Sequence, residues 1–398
     1  MTRGGAEEYI TAIRTRYWAA GKAEKGRILD EACQTTGFHR KAMIRLLRGT
    51  RARVQPAARR PKYGADLIEP LALAWEAMGR PCATRLEAFL PELIPALERH
   101  GELELPAERR SLLLEASAST IQRLLAQHRR RLVRQPRTSS HLLAQLRDEV
   151  PLRTFSEWVN PEPGALQADL VAHCGESTQG FYLCSLQMVD VATSWTVLEA
   201  IWGKGQQRVG SGIHRGRLRL PFSLTELHTD NGGEFINHGL VGWCRREGIK
   251  LTRGRPYRKN DQAFAEQRNW VAVRRVVGYG RYSSREAHVK LQQLYALLEL
   301  DLNLFQPVQK LTGKTRSGAR VTRHYDRPQT PFQRALAAGV LDETTATRLR
   351  RQFEATNPAA LRRRIEMTLV ELWKLTESPV PSVTEPVTHH PSDGNHSI

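Results

Sequence analysis

Short apolar runs that contain or precede one acidic residue mark the middle of the chain. Residues 166–173 form such a run, bounded on both sides by glycine, and the pattern predicts a buried β-strand that carries Asp169. A second run at 220–227 precedes a glycine-containing loop, and this order predicts Asp230 at the end of another strand. The sequence therefore places two acids on or beside strands of one core.

A third acid lies on a predicted helix. The residues at helical spacing between 260 and 275 are Ala263, Glu266, Trp270 and Val273. This spacing puts Glu266 on the helix face that turns towards the sheet. A lone buried acid is costly unless it is paired or bound to a metal, and three such acids suit a pair of hard cations. Asp169, Asp230 and Glu266 are therefore the candidates for catalysis and for metal binding.

Other polar residues near these acids are weaker candidates. Segments 180–189 and 193–201 are rich in aromatic and β-branched residues and predict two more strands, with Asp190 in the turn between them. Asp261 is better explained as a helix cap, whereas Glu234 stays open as a metal contact. The histidines on the two strands are His173 and His228, and for each of them both packing and a place in the site stay open.

The order and spacing of the three acids resemble the DDE transposase and retroviral integrase superfamily. Sixty residues separate Asp169 from Asp230, and 35 separate Asp230 from Glu266. The surrounding motifs, Asp-Leu-Val-Ala-His-Cys-Gly, His-Thr-Asp-Asn-Gly-Gly-Glu-Phe and Asn-Asp-Gln-Ala-Phe-Ala-Glu-Gln-Arg-Asn-Trp, resemble bacterial insertion-sequence transposases with an integrase core. The likeness covers 160–280 and continues to about residue 336.

The resemblance implies an RNase H-like catalytic fold, dependence on Mg²⁺ or Mn²⁺ with two ions per active site, and cleavage and joining of DNA strands at transposon ends. It also implies assembly of a homo-oligomer on paired ends. The zinc-binding module at the amino terminus of retroviral integrases requires paired histidines and cysteines, and this sequence lacks them.

The expected fold is an α/β RNase H-like core, a mixed sheet flanked by helices, preceded by an all-α helix-turn-helix region. The expected segments are a helix-turn-helix at 1–50, a basic linker at 51–63, a second helical DNA-binding region at 64–135, the catalytic core at 155–290, a helical and basic region at 291–377 and a disordered tail at 378–398. In the second helical region Ser117 or Ser119 is expected to cap a helix.

Basic residues are expected to contact DNA in each of the first segments and beside the third acid. The candidates are Arg40, Lys41, Arg45, Arg48, Arg51, Arg53, Arg59, Arg60, Arg129, Arg130, Arg131, Arg255, Arg258, Lys259 and Arg268. In the loop before the Glu266 helix, Arg253 is a further candidate. For each of these clusters a plain solvated basic face is the alternative.

The composition agrees with a DNA partner. The net charge is +19 and the pI is near 10.2, and such an excess of cations favours polyanions through counterion release. The five scattered cysteines fit a reducing cytoplasm, and the sequence contains neither a transmembrane run nor a secretory signal. Double-stranded DNA is the expected partner, and the bacterial cytoplasm, in association with the nucleoid, is the expected location.

Two alternatives stay open. Another RNase H-like nuclease would share the acids without needing transposon ends, although the two helical modules disfavour it. A catalytically silent regulator derived from a transposase would bind DNA without cleaving it.

Overall fold

The structure, a computed structural model, describes residues 3–48, 62–126, 161–255, 270–318 and 320–377. It divides into two compact units, residues 1–64 and residues 65–398. The six-part division expected from the sequence stays a prediction.

The first unit is a group of three helices. They are α1 (Arg3–Ala19), α2 (Lys22–Thr36) and α3 (Arg40–Leu47). Their buried core consists of Ile10, Tyr17, Ile28, Leu29, Ala32, Met43 and Leu47. Gly37 ends α2 with a φ of 75°, and His39 caps α3 by accepting a hydrogen bond from the Lys41 amide at 3.3 Å. A three-residue turn thus joins α2 to the basic helix α3.

Helices also fill residues 65–126. They are α4 (Ile68–Ala77), α5 (Ala83–Arg99), α6 (Ala107–Leu114) and α7 (Ala118–Leu124). Ser117 caps α7 through its hydroxyl, which accepts a hydrogen bond from the Thr120 amide at 3.4 Å. The prediction of an all-helical N-terminal region is confirmed for the described residues.

A five-stranded mixed sheet forms the core of the second unit. Its strands are β1 (Ala165–Ala172), β2 (Cys184–Asp190), β3 (Thr196–Ile201), β4 (Glu226–Thr229) and β5 (Lys250–Arg253). The spatial order is β3-β2-β1-β4-β5. The β1–β2 and β2–β3 pairs are antiparallel, whereas the β1–β4 and β4–β5 pairs are parallel. With its flanking helices, this sheet confirms the predicted RNase H-like fold class.

Helices cover both faces of the sheet. They are α8 (Gln206–Arg217), α9 (His238–Arg246), α10 (Arg275–Val277) and α11 (Arg285–Leu300). Gly212 and Gly216 bring α8 close to the face that carries Leu186 and Met188. On the opposite face, the Tyr295 hydroxyl of α11 is hydrogen-bonded to that of Ser185. Every residue of β2 and β3 is consequently buried.

Side chains after and within α11 cover the outer edge of β3. The main-chain amides of Thr196, Leu198 and Ala200 donate to Asn303 Oδ1, Glu299 Oε1 and Gln292 Oε1, at 2.8, 2.8 and 2.9 Å respectively. An open edge strand is a site for unwanted pairing with other chains, and these side chains close it.

The C-terminal part adds a β-hairpin and three helices. These elements are β6 (Leu311–Ser317), β7 (Arg320–Tyr325), α12 (Pro331–Ala337), α13 (Glu343–Ala355) and α14 (Pro358–Lys374). They pack against the earlier helices, because Arg363 Nη2 of α14 lies 2.6 Å from Glu102 Oε1 and Gln333 Nε2 of α12 donates to Glu92 Oε1 of α5 at 2.9 Å. None of the helices in the described ranges is long and apolar enough to cross a membrane.

Candidate active site

The register of β1 and β4 brings Asp169 and Asp230 to the same level. Gln167 is paired with His228 in this parallel ladder, so the residues two positions further on are Asp169 and Asp230. Side chains two residues apart on a strand point to the same face, and neighbouring strands lie about 4.8 Å apart. The two acids, both half-buried, therefore lie side by side on one face of the sheet.

The loop after β4 holds Asp230 firmly. The Asp230 carboxylate accepts a hydrogen bond from the Gly232 amide at 2.9 Å, and the Gly232 carbonyl in turn accepts from the amides of Phe235 and Ile236 at 3.0 and 2.9 Å. Because Phe235 and Ile236 are buried, they anchor this tight turn in the core. The acid is thus presented by a rigid turn at a strand end.

Arg253 supports the same loop from β5. Its guanidinium donates to Asn231 Oδ1 at 2.9 Å, while Asn231 Nδ2 donates to the Gly254 carbonyl at 2.8 Å. Arg253 is 6% exposed. The expectation that Arg253 contacts DNA from a loop is therefore wrong, since the side chain is buried in the sheet and ties β5 to the residue after Asp230.

Arg274 interacts electrostatically with Asp169. Burial lowers the pKa of Arg274, whereas the charge of Asp169 is among the weaker influences that raise it. Burial of His173 lowers its pKa to about 3, and the charge of the Arg274 guanidinium is the second, smaller cause of this shift. Arg274 thus lies within electrostatic reach of Asp169 on β1 and of His173 directly after that strand.

The two histidines are packing residues in this structure. His173 is fully buried, with Nε2 2.5 Å from Ser185 Oγ, and its ring meets Tyr282 edge-on at 5.7 Å. His228 is also fully buried, and its Nδ1 lies 3.0 Å from Thr252 Oγ1.

Asp190 holds a turn at the opposite end of β1. Its carboxylate accepts hydrogen bonds from the Gly164 amide at 2.9 Å and from the Thr193 amide at 2.8 Å. Asp190 is paired with Leu166, three residues before Asp169 along β1. Asp190 is thus the last residue of β2 rather than a residue of the turn, and its carboxylate caps the turn that follows.

Glu234 lies close to Asp230. Burial raises the pKa of Glu234, and the negative charge of Asp230 raises it further, while Lys204 has the opposite effect. The carboxylate of Glu234 lies over Gly232, where a Cβ atom would come within 2.7 Å of it. Sequence reasoning identified Glu234 as a neighbour of the site but missed Lys204, whose position depends on the fold alone.

Several predicted residues lie outside the described part of the chain. Among the acids these are Glu266 and Asp261; among the basic residues they are Arg51, Arg53, Arg59, Arg60, Arg129, Arg130, Arg131, Arg258, Lys259 and Arg268. The described DNA-binding candidates, Arg40, Lys41, Arg45, Arg48 and Arg255, are all exposed.

A metal site would require a third ligand besides the two adjacent carboxylates. Within the described ranges, no group of three or more His, Cys, Asp and Glu side chains is arranged to hold a metal ion. Asp169 and Asp230 supply hard oxygen donors on one face, which is the ligand chemistry that Mg²⁺ and Mn²⁺ prefer. The roles of all three acids stay predictions.

Comparison with known proteins gives matches to the core and to most of the chain. The family described as integrase core domain matches residues 160–259. The uncharacterized protein y4rM of Sinorhizobium fredii (strain NBRC 101917 / NGR234) is 42% identical over 329 residues, which are 82% of this chain and 94% of that protein.

Two solved structures are similar to parts of this chain. The catalytic core domain of BIV integrase is 19% identical, with a TM-score of 0.30, over 44% of this chain and 95% of that one. The HTLV-2 integrase catalytic core domain, solved in complex with magnesium in a dimeric form, is 15% identical, with a TM-score of 0.29. This match covers 39% of this chain and 96% of that one.

Proposed function

Because the chain belongs to the DDE transposase and retroviral integrase superfamily, we propose that it is a DNA transposase of the integrase-core type. It binds transposon ends, cleaves DNA phosphodiester bonds and joins the freed 3′-hydroxyl ends to target DNA. The observation that carries the proposal is the register of the parallel strands β1 and β4, which places Asp169 of β1 beside Asp230, the residue directly after β4.

Mg²⁺ or Mn²⁺ is the cofactor that this donor chemistry fits. Asp169, Asp230 and Glu266 would hold the ions, two per active site. When bound, such ions supply activation of the attacking oxygen and stabilisation of the leaving oxygen. Water attacks the phosphorus first and the released 3′-hydroxyl attacks the target second, so no covalent link between protein and DNA is expected.

The chain's own residues orient the reaction. The Gly232 amide and the Arg253–Asn231 pair fix the loop that carries Asp230. Arg274 offsets part of the negative charge at Asp169, which would otherwise repel the phosphate of the strand to be cut. These groups support binding and positioning, and reaction rates depend strongly on such preorganisation.

The basic surface supplies DNA binding in this proposal. The exposed cations Arg40, Lys41 and Arg45 of α3, and Arg48 directly after it, follow a short turn. This arrangement agrees with a helix-turn-helix whose second helix contacts the major groove. A net charge of +19 favours the DNA backbone generally. A DNA substrate would place the protein at the nucleoid of the bacterial cytoplasm, as a homo-oligomer on paired ends.

A strand-transfer assay tests the proposal. Labelled duplexes with the element's own ends are incubated with the native chain or with Glu266→Gln, in Mg²⁺ or Mn²⁺. We expect joined products from the native chain alone, because the amide removes one of the three carboxylate ligands.

The other outcomes separate the alternatives. Cleavage without joining, independent of the end sequence, would identify an RNase H-like nuclease. Binding of the ends without any cleavage in either metal would identify a DNA-binding regulator, and both results would overturn the proposed function.

A further inference from the structure

The hairpin of β6 and β7, residues 311–325, is a strongly basic β-ribbon. It contains Lys314, Arg316, Arg320 and Arg323 and no acidic residue. Two-stranded hairpins are at best marginally stable by themselves in water. The ribbon therefore combines high charge with little internal stabilisation.

The register places three of the four charges on one face of the ribbon. Lys314 is paired with Arg323, and Arg316 is paired with Val321 two positions along, so these four residues share a face. Thr315 and His324 belong to the opposite face, where Thr315 Oγ1 lies 2.9 Å from His324 Nε2. One face thus contains three of the four cationic positions, and the fourth, Arg320, is paired with Ser317 on the opposite face.

The cationic face contains an unfavourable pair. Lys314 lies directly opposite Arg323, and like charges at such positions destabilise a sheet. Lys314, Arg316 and Arg323 are exposed, and none of them forms an ion pair with a carboxylate of the described ranges. An external anion would relieve this repulsion.

The base of the ribbon is fixed to the catalytic sheet. The Lys310 amide donates to Asp326 Oδ1 at 2.6 Å, and the Asp326 amide donates to the Lys310 carbonyl at 2.9 Å. Lys310 Nζ donates to the Val191 carbonyl at 2.6 Å, and Arg334 lies 2.7 Å from Asp326. A rigid base lets the ribbon hold a ligand in a defined place relative to the sheet.

The base also lies near the candidate site. The Val191 amide donates to the Ala165 carbonyl, and Ala165 precedes Asp169 by four residues on β1. At about 3.3 Å per residue, the separation along the strand is roughly 13 Å. That distance is about four base pairs of duplex DNA, at roughly 3.4 Å per pair.

We propose that the β-ribbon enters the major groove of the duplex whose strand lies at Asp169 and Asp230, with Lys314, Arg316 and Arg323 contacting its phosphates. Two strands about 4.8 Å apart fit a groove about 12 Å wide. Charge complementarity selects the nucleic acid over a protein partner. The inference rests on the proposed function, because it needs DNA at the site.

Salt-dependent binding tests the ribbon. The full native chain and the triple variant Lys314→Gln, Arg316→Gln, Arg323→Gln are titrated with a fluorescent duplex at several salt concentrations. Loss of three phosphate contacts should reduce the slope of log affinity against log salt by about 3 and weaken binding by tenfold or more. The matched control is Arg348→Gln, Arg350→Gln, Arg351→Gln, which removes the same charge from exposed positions of α13 and should lower the slope far less.

A cross-link identifies what the ribbon touches. Exposed Val321 on the cationic face is replaced by photoreactive benzoylphenylalanine in the full chain, and irradiation should join it to the duplex. Equal slopes for native chain and triple variant, equal losses in the two triple variants, or a cross-link to a second copy of the chain would overturn the ribbon proposal alone. Failure of the native chain to bind any duplex would overturn the proposed function as well.

Discussion

The fold keeps the imidazole of His173 neutral. The residue is fully buried between Ser185 and Tyr282, and the Tyr295 hydroxyl continues the hydrogen-bonded chain beyond Ser185. Burial, and after it the charge of Arg274, lowers the pKa of His173 to about 3. Protonation of this ring therefore requires the local structure to open.

Acid should destabilise the protein through His173. Between the unfolded pKa of about 6.5 and the folded pKa of about 3, the unfolded chain binds the extra proton, so stability falls as the pH falls and is unaffected above about 6.5. Between pH 7 and pH 5 the free energy of unfolding of the native chain should fall by about 2 kcal/mol more than that of His173→Gln, as measured by urea unfolding. Parallel losses in both proteins would show that His173 is not responsible.

At the residue scale, local signals revealed the acids but not their supports. Asp169 and Asp230 follow from an acid in or after an apolar run, and the turn at Asp190 follows from its position between two strand-forming segments. The bond from Asp190 to Gly164 spans 26 residues, and Arg253 reaches Asn231 across 22. Such pairs depend on strand register, which a single sequence does not specify.

At the scale of the elements, Gly164 sets the register on which the two acids depend. Its carbonyl accepts hydrogen bonds from the amides of Thr225 and Glu226, at 2.9 and 3.2 Å, where β4 begins. Its own amide donates a hydrogen bond to the Asp190 carboxylate at the end of β2. Gly164 has a φ of 112°, and an added Cβ would lie 2.4 Å from the Ser223 carbonyl oxygen. Only glycine fits this junction without strain.

Gly164→Ala should therefore destabilise the core by about 3 kcal/mol, since backbone strain and a clash with main chain each cost roughly 1–3 kcal/mol. The matched control is Gly101→Ala, where φ is 67° but no atom lies within 4 Å, so a loss of only about 1 kcal/mol is expected. The midpoints of denaturant unfolding measure the stability of both variants. Equal losses of stability would mean that the contact with the Ser223 carbonyl is unimportant.

The sequence predicted the strands more reliably than their edges. Segment 180–189 contains most of β2 and segment 193–201 contains all of β3, because β-branched and aromatic residues mark them. Residues 191–195 instead form the turn that Asp190 caps. The cover over the β3 edge comes from α11 and the residues after it, about 100 positions away, and helical spacing alone does not indicate that role.

At the scale of the whole second unit, aromatic rings join early and late parts of the chain. Phe353 of α13 stacks on Phe305 at 5.3 Å and on Phe332 at 5.6 Å, and Phe305 meets Phe89 of α5. The sequence predicted apolar helix faces at both ends of the chain, but it did not show that they pack on one another, because periodicity identifies a face and not its partner.

Phe353→Ala should destabilise the second unit by about 3 kcal/mol, because a large ring is removed from a stack of three. Urea unfolding followed by circular dichroism measures the loss. Met367→Ala, at a position 65% exposed on α14, is the control and should change stability by less than about 0.5 kcal/mol. A loss for Phe353→Ala no larger than that for Met367→Ala would show that the stack does not stabilise the second unit.

The central claim is that Asp169 and Asp230 form the catalytic pair, and the rate of metal-dependent end cleavage tests it most directly. Asp230→Asn should lower the single-turnover rate in Mg²⁺ at least about a hundredfold while DNA binding persists, because loss of a metal ligand removes several kcal/mol of transition-state stabilisation. Glu176→Gln removes the same charge from an exposed loop position and should cleave like the native chain. Cleavage by Asp230→Asn at the native rate would contradict the assignment.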